Sequence, residues 1–182
     1  MVTLPPQTVD IFEHLAKGLF ISNNSLHPHQ QVWYQILEDH QENFARYFTP
    51  LNLTLTRGDG YYFFSRKETR AKTDERMEQA ARYIDWLDFF YCFDPDFGPG
   101  YRFESEVLMS KVTSDRILRK KLQAIPLRSN PSDVKDKATQ FLKLVERAGF
   151  IESEQESGDT YRVVSAYSYL ISLVGKIKVM QP

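Results

Sequence analysis

Cysteine and net charge are both scarce in this sequence. Among its 182 residues there is a single cysteine, Cys92, and the formal net charge is −1. One cysteine excludes an intramolecular disulfide and is typical of a reducing compartment. A net charge near zero gives no overall attraction to nucleic acid. We therefore expect a cytoplasmic protein with no general affinity for nucleic acid.

Long apolar runs are absent as well. No apolar segment approaches the length of a membrane-spanning helix. The N-terminal MVTLPPQTVD lacks the basic region followed by an apolar run that marks a signal peptide. We therefore expect neither membrane insertion nor secretion.

Signatures of catalysis and metal binding are also missing. The His-Pro-His motif at 27–29 has no adjacent cysteine or carboxylate, whereas a metal site needs three or four ligands in fixed geometry. The Asp-Pro-Asp motif at 94–96 lacks the further ligands and the closing glutamate of a calcium loop. No nucleophile, base and orienting group follow a known signature. We therefore expect no enzyme, no metal and no cofactor.

Aromatic residues, in contrast, are abundant. The chain contains 13 Phe, 10 Tyr and 2 Trp, which make up 14% of its residues. This is more than one compact core needs, and aromatic side chains are enriched at the centres of protein–protein interfaces. We therefore expect some of them to face a partner.

The segment 132–167 reads as a helix, a strand, a turn and a second strand. Its apolar residues recur at steps of three and four, which predicts one buried helix face. Ser132 is the expected N-cap, and Gly149 is expected to end the helix. Polar residues then form a turn before the return strand. This order is typical of a winged helix, in which the long helix is the third helix and the two strands form the wing.

The predicted wing is acidic. It contains Glu152, Glu154, Glu156 and Asp159, and no Lys or Arg lies between Phe150 and Thr160. A wing that contacts the DNA backbone needs positive charge, because phosphate neutralisation supplies most of the affinity. The wing therefore favours a contact with protein, and a solvated loop is the alternative.

The first half follows the same order. A helix at 11–17, a short strand at 19–21 and a long helix at about 30–48 precede the alternating segment 51–56. Leu51, Leu53 and Leu55 share one face of that segment. Asp59-Gly60 is a strong hairpin signal, and an aromatic strand returns at 61–64. A helix from 73 or 74 to about 93 follows. Its predicted apolar stripe comprises Met77, Ala80, Ala81, Ile84, Leu87 and Tyr91.

Together these patterns predict an α+β fold, mainly α, with tandem winged-helix domains that each carry a β-hairpin wing. The segment 94–100 contains two prolines and two glycines and breaks regular structure, so we place the domain boundary there. The N-terminal domain spans 1–97 and the C-terminal domain spans 101–182. In the second domain we expect helices capped by Ser105 and Ser114 and a closing helix at 165–177.

Several segments, taken in order, resemble a known family. They are FARY at 44–47, LxLxLxR at 51–57, GYYF at 60–63, FxxE at 103–106, SDV at 132–134, FLxLVxRAGF at 141–150 and YR at 161–162. This order is similar to that of the non-kleisin, non-ATPase subunit of bacterial condensins of the MukBEF and MksBEF type. The resemblance covers about 11–177. The chain is shorter than MukE and lacks its acidic C-terminal tail, which favours the MksE branch or the related plasmid-defence subunit.

The resemblance implies a kleisin-interacting tandem winged-helix subunit without catalytic activity. Such proteins dimerise, largely through their N-terminal winged helices, and bind the middle region of the kleisin, here a MukF- or MksF-like subunit. Through the complex they regulate the SMC-like ATPase that moves or entraps DNA. The resemblance thus implies a nucleoid-associated homodimer that acts in chromosome condensation and segregation or in plasmid defence, and that contacts DNA only indirectly or weakly.

Two groups of residues are the expected contact sites of such a subunit. Aromatic residues are expected at dimer or inter-domain contacts, with a core position as the alternative: Tyr61, Phe63, Trp86, Phe89 and Phe90. The acidic wing and the closing helix are expected to supply the kleisin-binding residues: Glu154, Glu156, Tyr167, Leu170 and Val174.

A basic patch keeps a second function open. It comprises Arg116, Arg119, Lys120, Lys121, Lys135 and Lys137. If these side chains contact phosphates, the chain is a winged-helix transcriptional regulator that binds DNA. Alternatively, they form the solvated face of an amphipathic helix or pair with nearby acids. Because the neighbouring wing is acidic, we favour the kleisin-binding subunit over the regulator.

Overall fold

Two small antiparallel sheets surrounded by helices form the structure, a computed structural model that describes residues 4–65, 73–129, 131–154 and 159–179. The fold is α+β and mainly helical, as predicted. The first half contains α1 (Thr8–Ala16), β1 (Ile21–Ser22), α2 (Pro28–Asp39), α3 (Gln41–Phe48), β2 (Thr54–Arg57), β3 (Tyr61–Ser65) and α4 (Thr73–Phe93). The second half contains β4 (Arg102–Glu104), α5 (Ser105–Ser114), α6 (Arg116–Ala124), α7 (Val134–Arg147), β5 (Ile151–Ser153), β6 (Thr160–Val163) and α8 (Tyr167–Val179).

Both sheets have the same strand arrangement. The strand order is β1-β3-β2 in the first sheet and β4-β6-β5 in the second. In each sheet a hairpin pairs through its second strand with a short strand from earlier in the chain, so that Ile21 lies opposite Tyr62 and Phe103 lies opposite Tyr161. The two hairpins predicted from the sequence, β2–β3 and β5–β6, are therefore confirmed.

The helix predicted at 30–48 is in fact two helices. His40 has φ −125° and ψ 21°, outside the helical range, and separates α2 from α3. Its N–H donates to the carbonyl of Ile36 at 3.1 Å, and its carbonyl accepts from the N–H of Phe44 at 3.1 Å. The break therefore changes the helix direction without leaving these groups unpaired. It lets α3 pack on the first hairpin, where α3 contacts β2 and the ring of Phe48 lies 4.8 Å from that of Phe64 on β3.

The strand predicted at 51–56 begins later than expected. Leu51 ends a 3-10 turn (Thr49–Leu51), and Asn52 follows with a left-handed φ of 57°. Leu51 is 52% exposed, whereas Leu53 and Leu55 are buried. The prediction that Leu51 shares their buried face is wrong, because the chain turns before the strand alternation starts.

Two helix caps lie one residue later than predicted, at aspartates instead of serines. The carboxylate of Asp133 accepts hydrogen bonds from two backbone N–H groups at the start of α7, at 2.7 and 3.1 Å. Asp115 does the same for α6, also at 2.7 and 3.1 Å. A carboxylate both accepts these hydrogen bonds and supplies the negative charge that the helix dipole favours. The predicted caps Ser132 and Ser114 are therefore wrong.

The hydrophobic core is divided between two clusters of buried side chains. The smaller one lies in the first half and includes Ile11, Leu37, Phe44, Phe48 and Tyr62. The larger one extends from α4 through the second half and also contains Phe20 and Tyr61. Thus α4, which precedes the predicted domain boundary, packs into the core of the second half. Three of its side chains contact Phe141 of α7, with ring centroids 5.8, 5.1 and 5.4 Å away: Trp86, Phe89 and Phe90.

A polar junction joins the two halves. We define it as residues 22–26, which comprise the end of β1 and the turn after it, together with their partners on β5, on β6 and in the segment just before α8. Asn24 donates from Nδ2 to the carbonyl of Val163 at 3.2 Å and accepts at Oδ1 from the N–H of Ser165 at 2.7 Å. Ser22 Oγ accepts from the N–H of Ala166 at 3.2 Å. The turn after β1 is therefore fixed against the second hairpin and the segment that follows it.

Glu152 is the charged member of the junction. It is 9% exposed, and its carboxylate accepts hydrogen bonds from Ser25 Oγ at 2.7 Å and from the N–H of Leu26. Gly60, in the turn of the first hairpin, has φ +76°, and a Cβ there would lie 3.0 Å from the Cβ of Ser165. The hairpin turn therefore needs glycine for its backbone conformation and for its close approach to the second half.

Candidate partner-binding groove

A groove runs between α4 and α7. One wall is formed by Gln79, Arg82, Tyr83 and Trp86 of α4, and the other by Gln140, Lys143, Leu144 and Arg147 of α7. Both sets have the spacing i, i+3, i+4, i+7, which places each set on one face of its helix. The segment 126–129, between α6 and α7, completes the lining, and the cavity volume is about 750 Å³. This volume lies in the range of natural ligand-binding clefts.

The floor of the groove is aromatic and fixed. Tyr83 and Trp86 are 8% and 4% exposed, with ring centroids 5.3 Å apart. Both rings contact Phe150, at 5.5 and 6.2 Å. Gln79 Nε2 donates to the hydroxyl of Tyr83 at 2.7 Å, and burial raises the pKa of that hydroxyl. The floor is therefore a neutral, apolar surface held by the core beneath it.

The rim of the groove is positively charged. Arg82, Arg128, Lys143 and Arg147 line it, all four are exposed, and the described lining contains no carboxylate. None of the four forms an ion pair with a residue that the structure describes. Uncompensated cations around a concave surface produce a local positive potential. The groove is thus suited to an anionic group that also has an apolar part.

The opposite face of α4 carries a second unpartnered surface, which is apolar. Met77, Ile84 and Tyr91 are 68%, 38% and 67% exposed, and Ala81 is exposed between them. These residues belong to the apolar stripe that the sequence predicts on this helix. In the structure they are exposed, because the larger side chains Trp86, Phe89 and Phe90 occupy the core-facing side.

The predicted dimer or inter-domain residues are mostly buried within the chain. Tyr61, Trp86, Phe89 and Phe90 belong to the larger core, and only Phe63 is partly exposed. All five contact the second half of the chain: the α4 residues pack on Phe141 of α7, and Tyr61 and Phe63 pack on Tyr169 of α8. Their participation in a dimer stays a prediction.

The acidic wing is less acidic in the structure than in the sequence. Glu152 is enclosed in the junction. Glu154 pairs with Arg102 and with Arg162, the latter at 3.1 Å, and the hydrogen bond from Arg102 is the main reason that the pKa of Glu154 is lowered. Asp159 is exposed, and Glu156 lies outside the described residues. Glu154 is therefore compensated by two arginines and Glu152 is enclosed, so fewer free carboxylates face solvent on this hairpin than the sequence indicated.

The predicted kleisin-binding residues of α8 lie mainly inside the fold. Tyr167 and Leu170 are buried, and the ring of Tyr167 contacts Phe90 and Phe97 at 6.2 and 5.4 Å. Val174 is half-buried. In this conformation Tyr167 and Leu170 support the core and do not present a surface.

The predicted basic patch is divided between internal and solvent-exposed side chains. Arg119 donates to the carbonyl of Val112 at 3.1 Å, Lys121 pairs with Asp88, and the ammonium group of Lys137 donates to the carbonyl of Gln123 at 2.8 Å. Burial lowers the pKa of Lys137. The remaining members are exposed: Arg116, Lys120 and Lys135. Half of the patch is therefore engaged within the chain.

Sequence reasoning missed the groove. It assigned no binding role to Arg82 or Lys143. The signal present in the sequence is the shared order of glutamine, cation and apolar residue on α4 and α7. That signal does not reveal that the two stripes face each other.

The described residues contain neither a metal-binding cluster nor a membrane-spanning helix. Within them, no three His, Cys, Asp or Glu side chains lie close enough together to hold a metal ion. None of the helices in that part of the chain has the length and apolar character needed to cross a lipid bilayer.

Comparison with protein families matches residues 6–174 to the family described as condensin complex protein MksE. Comparison with curated proteins finds no match. The matched range contains both halves, the junction and every residue that lines the groove.

Proposed function

Because the chain belongs to the MksE family of condensin complex proteins, we propose that it is a non-catalytic accessory subunit of a bacterial SMC-like condensin that dimerises and binds the kleisin. The observation that carries the proposal is the extent of the match, which spans residues 6–174 and so includes both halves. The subunit would reach the SMC-like ATPase through the kleisin. It would act at the nucleoid, in chromosome condensation and segregation or in plasmid defence.

On this proposal each half is a winged helix. The support is the repeated arrangement in which helices precede a hairpin and an earlier short strand completes the sheet, β1-β3-β2 in one half and β4-β6-β5 in the other. The hairpins are the wings. The second wing contributes Glu152 to the junction instead of extending freely, which favours a protein-binding role over insertion along a DNA backbone.

The exposed apolar stripe of α4 supports dimerisation. Met77, Ala81, Ile84 and Tyr91 follow one face of the helix and are not covered by any described part of the chain. Exposed apolar residues that share one helix face are typical of protein–protein interfaces. We expect the double change Ile84→Asp with Tyr91→Asp to give a monomer in light scattering, because a self-associating face would bury unpaired charge. Val107→Asp with Ile117→Asp, on exposed positions of α5 and α6, is the matched control.

The proposal is tested by co-purification of the chain with the products of its neighbouring genes, followed by light scattering. We expect a stable complex with a kleisin-like protein that contains two copies of this chain. If no neighbour binds and the isolated chain instead binds duplex DNA with strong salt dependence, the subunit is a DNA-binding regulator and the proposal fails.

A further inference from the structure

We propose that the groove between α4 and α7 binds an acidic segment of the kleisin partner, with an apolar side chain of that segment on the aromatic floor and its carboxylates at the four rim cations. The inference rests on the proposed function in one respect only, that the partner is the kleisin. It adds the location of the contact and the chemistry of the bound segment.

Charge is the first argument. Several cations of the described chain have carboxylate partners, as in the pairs Arg57–Glu38 at 2.8 Å and Arg162–Glu154 at 3.1 Å, whereas others, such as Arg116 and Lys120, are exposed without one. What distinguishes the groove is that four cations converge there, from α4, α7 and the preceding loop, without an ion pair to any described carboxylate. Because the whole chain has a net charge of −1, this excess is local. A carboxylate-rich segment would complement this positive charge. The attraction between the two opposite charges would also raise the rate of association.

The shape of the floor favours a peptide over nucleic acid. Single-stranded nucleic acids bind through bases stacked on exposed aromatic faces. Here Tyr83 and Trp86 are nearly buried. Both rings pack edge-to-face with Phe150, at interplanar angles of 88° and 78°. They offer an apolar strip and no open stacking platform. An aliphatic or aromatic peptide side chain fits such a strip, with the cations beside it fixing the acidic flanks.

The test compares two charge-reversal variants with the same net charge. The groove variant carries Arg82→Glu and Lys143→Glu, and the control variant carries Arg116→Glu and Lys120→Glu on exposed positions of α6. Kleisin affinity is measured for both and for the unmodified chain at low and physiological salt. We expect at least about a tenfold loss in the groove variant and a change of less than about twofold in the control. Thermal unfolding of each variant separates lost binding from lost folding, and Arg82→Gln with Lys143→Gln should give an intermediate loss.

A labelled peptide of alternating glutamate and leucine reports the chemistry of the groove independently of the kleisin. We expect it to bind the unmodified chain and the control variant but not the groove variant, and to lose binding when glutamine replaces glutamate or serine replaces leucine. If the groove variant keeps full kleisin affinity, the inference is wrong although the proposed function stands. If the unmodified chain binds no kleisin, the proposed function fails, and peptide binding then decides whether the acidic-segment preference survives. Oligonucleotide binding that is lost only in the groove variant would identify a nucleic-acid site and overturn the inference.

Discussion

The junction and the groove both lie between the first and second halves, yet they differ in how their charges are compensated. At the junction, Glu152 is enclosed and bonded to Ser25 and Leu26. At the groove, four cations face solvent without a carboxylate partner among the described residues. A buried polar group without a partner costs about 1–3 kcal/mol, whereas an exposed cation costs little. The chain therefore completes the contacts that folding requires and leaves the groove charges available for binding.

Phe150 should show the largest effect on stability, because it supports both regions. It is fully buried, and its ring contacts Phe20 at 5.3 Å and the two floor residues of the groove. We expect Phe150→Ala to lower the free energy of unfolding by about 3–5 kcal/mol, through lost burial and a cavity. Urea unfolding measures this change. Val32→Ala, at an exposed apolar position of α2, is the control and should change stability by less than about 0.5 kcal/mol.

Removing the charged contact of the junction should have the next largest effect. We expect Glu152→Ala to cost about 2 kcal/mol, because it leaves the buried hydroxyl of Ser25 and the partly buried N–H of Leu26 without their acceptor. Urea unfolding again measures the change, beside Glu13→Ala at an exposed position of α1. Equal effects of the two changes would show that the junction does not stabilise the fold.

The pH dependence of stability tests the ion pairs of Glu154, whose charge, unlike that of the groove cations, is compensated within the chain. Its hydrogen bond from Arg102 lowers its pKa in the folded state, so its ion pairs stabilise the fold above the ordinary glutamate range and are lost as pH falls through the lowered pKa. We expect Glu154→Gln to cost about 1 kcal/mol at pH 7 and progressively less below about pH 4. Unfolding free energies of both proteins across this range test the convergence. A difference that stays constant with pH would show that the ionised carboxylate is not the cause.

Lys143 should show the smallest effect, because the groove cations are not stabilising. Lys143 lies four residues before Arg147, and like charges at this spacing oppose helix formation by about 0.2–0.5 kcal/mol. We expect Lys143→Gln to leave stability unchanged or raise it slightly. Arg46→Gln, which removes a cation paired with Glu42 at 3.6 Å, should lower it by a similar amount. A clear loss of thermal stability in Lys143→Gln would mean that the groove already has an internal partner.

Much of the fold could be predicted because its signals are local. The Asp59-Gly60 turn and the glycine at 149 each act on the adjacent residues, and both hairpins follow. The break at His40 could not be predicted in this way, because neither glycine nor proline marks it. It depends on how α3 packs on β2, which is a contact between separate elements.

The groove and the ion pairs of the second hairpin could not be predicted for the same reason, because both depend on contacts between residues far apart in sequence. The sequence shows that Glu154 is acidic, but its partner Arg102 lies 52 residues earlier. It shows apolar periodicity in α4, but the choice of which face is buried depends on Phe141 of α7. Composition and spacing therefore predict elements, whereas the partners of their charges require the folded structure.

The junction also has a consequence for the order in which the chain folds. Its hydrogen bonds join residues far apart in sequence, 127 positions for Ser25 with Glu152 and 144 for Ser22 with Ala166. Contacts of such long range form slowly, because a large loop must close before they are made. During synthesis, the turn after β1 leaves the ribosome long before β5, β6 and α8. The hydrogen-bonding groups of this turn therefore stay unpaired until almost the whole chain has been synthesised. During that interval the exposed surface of the first half is most prone to misassembly.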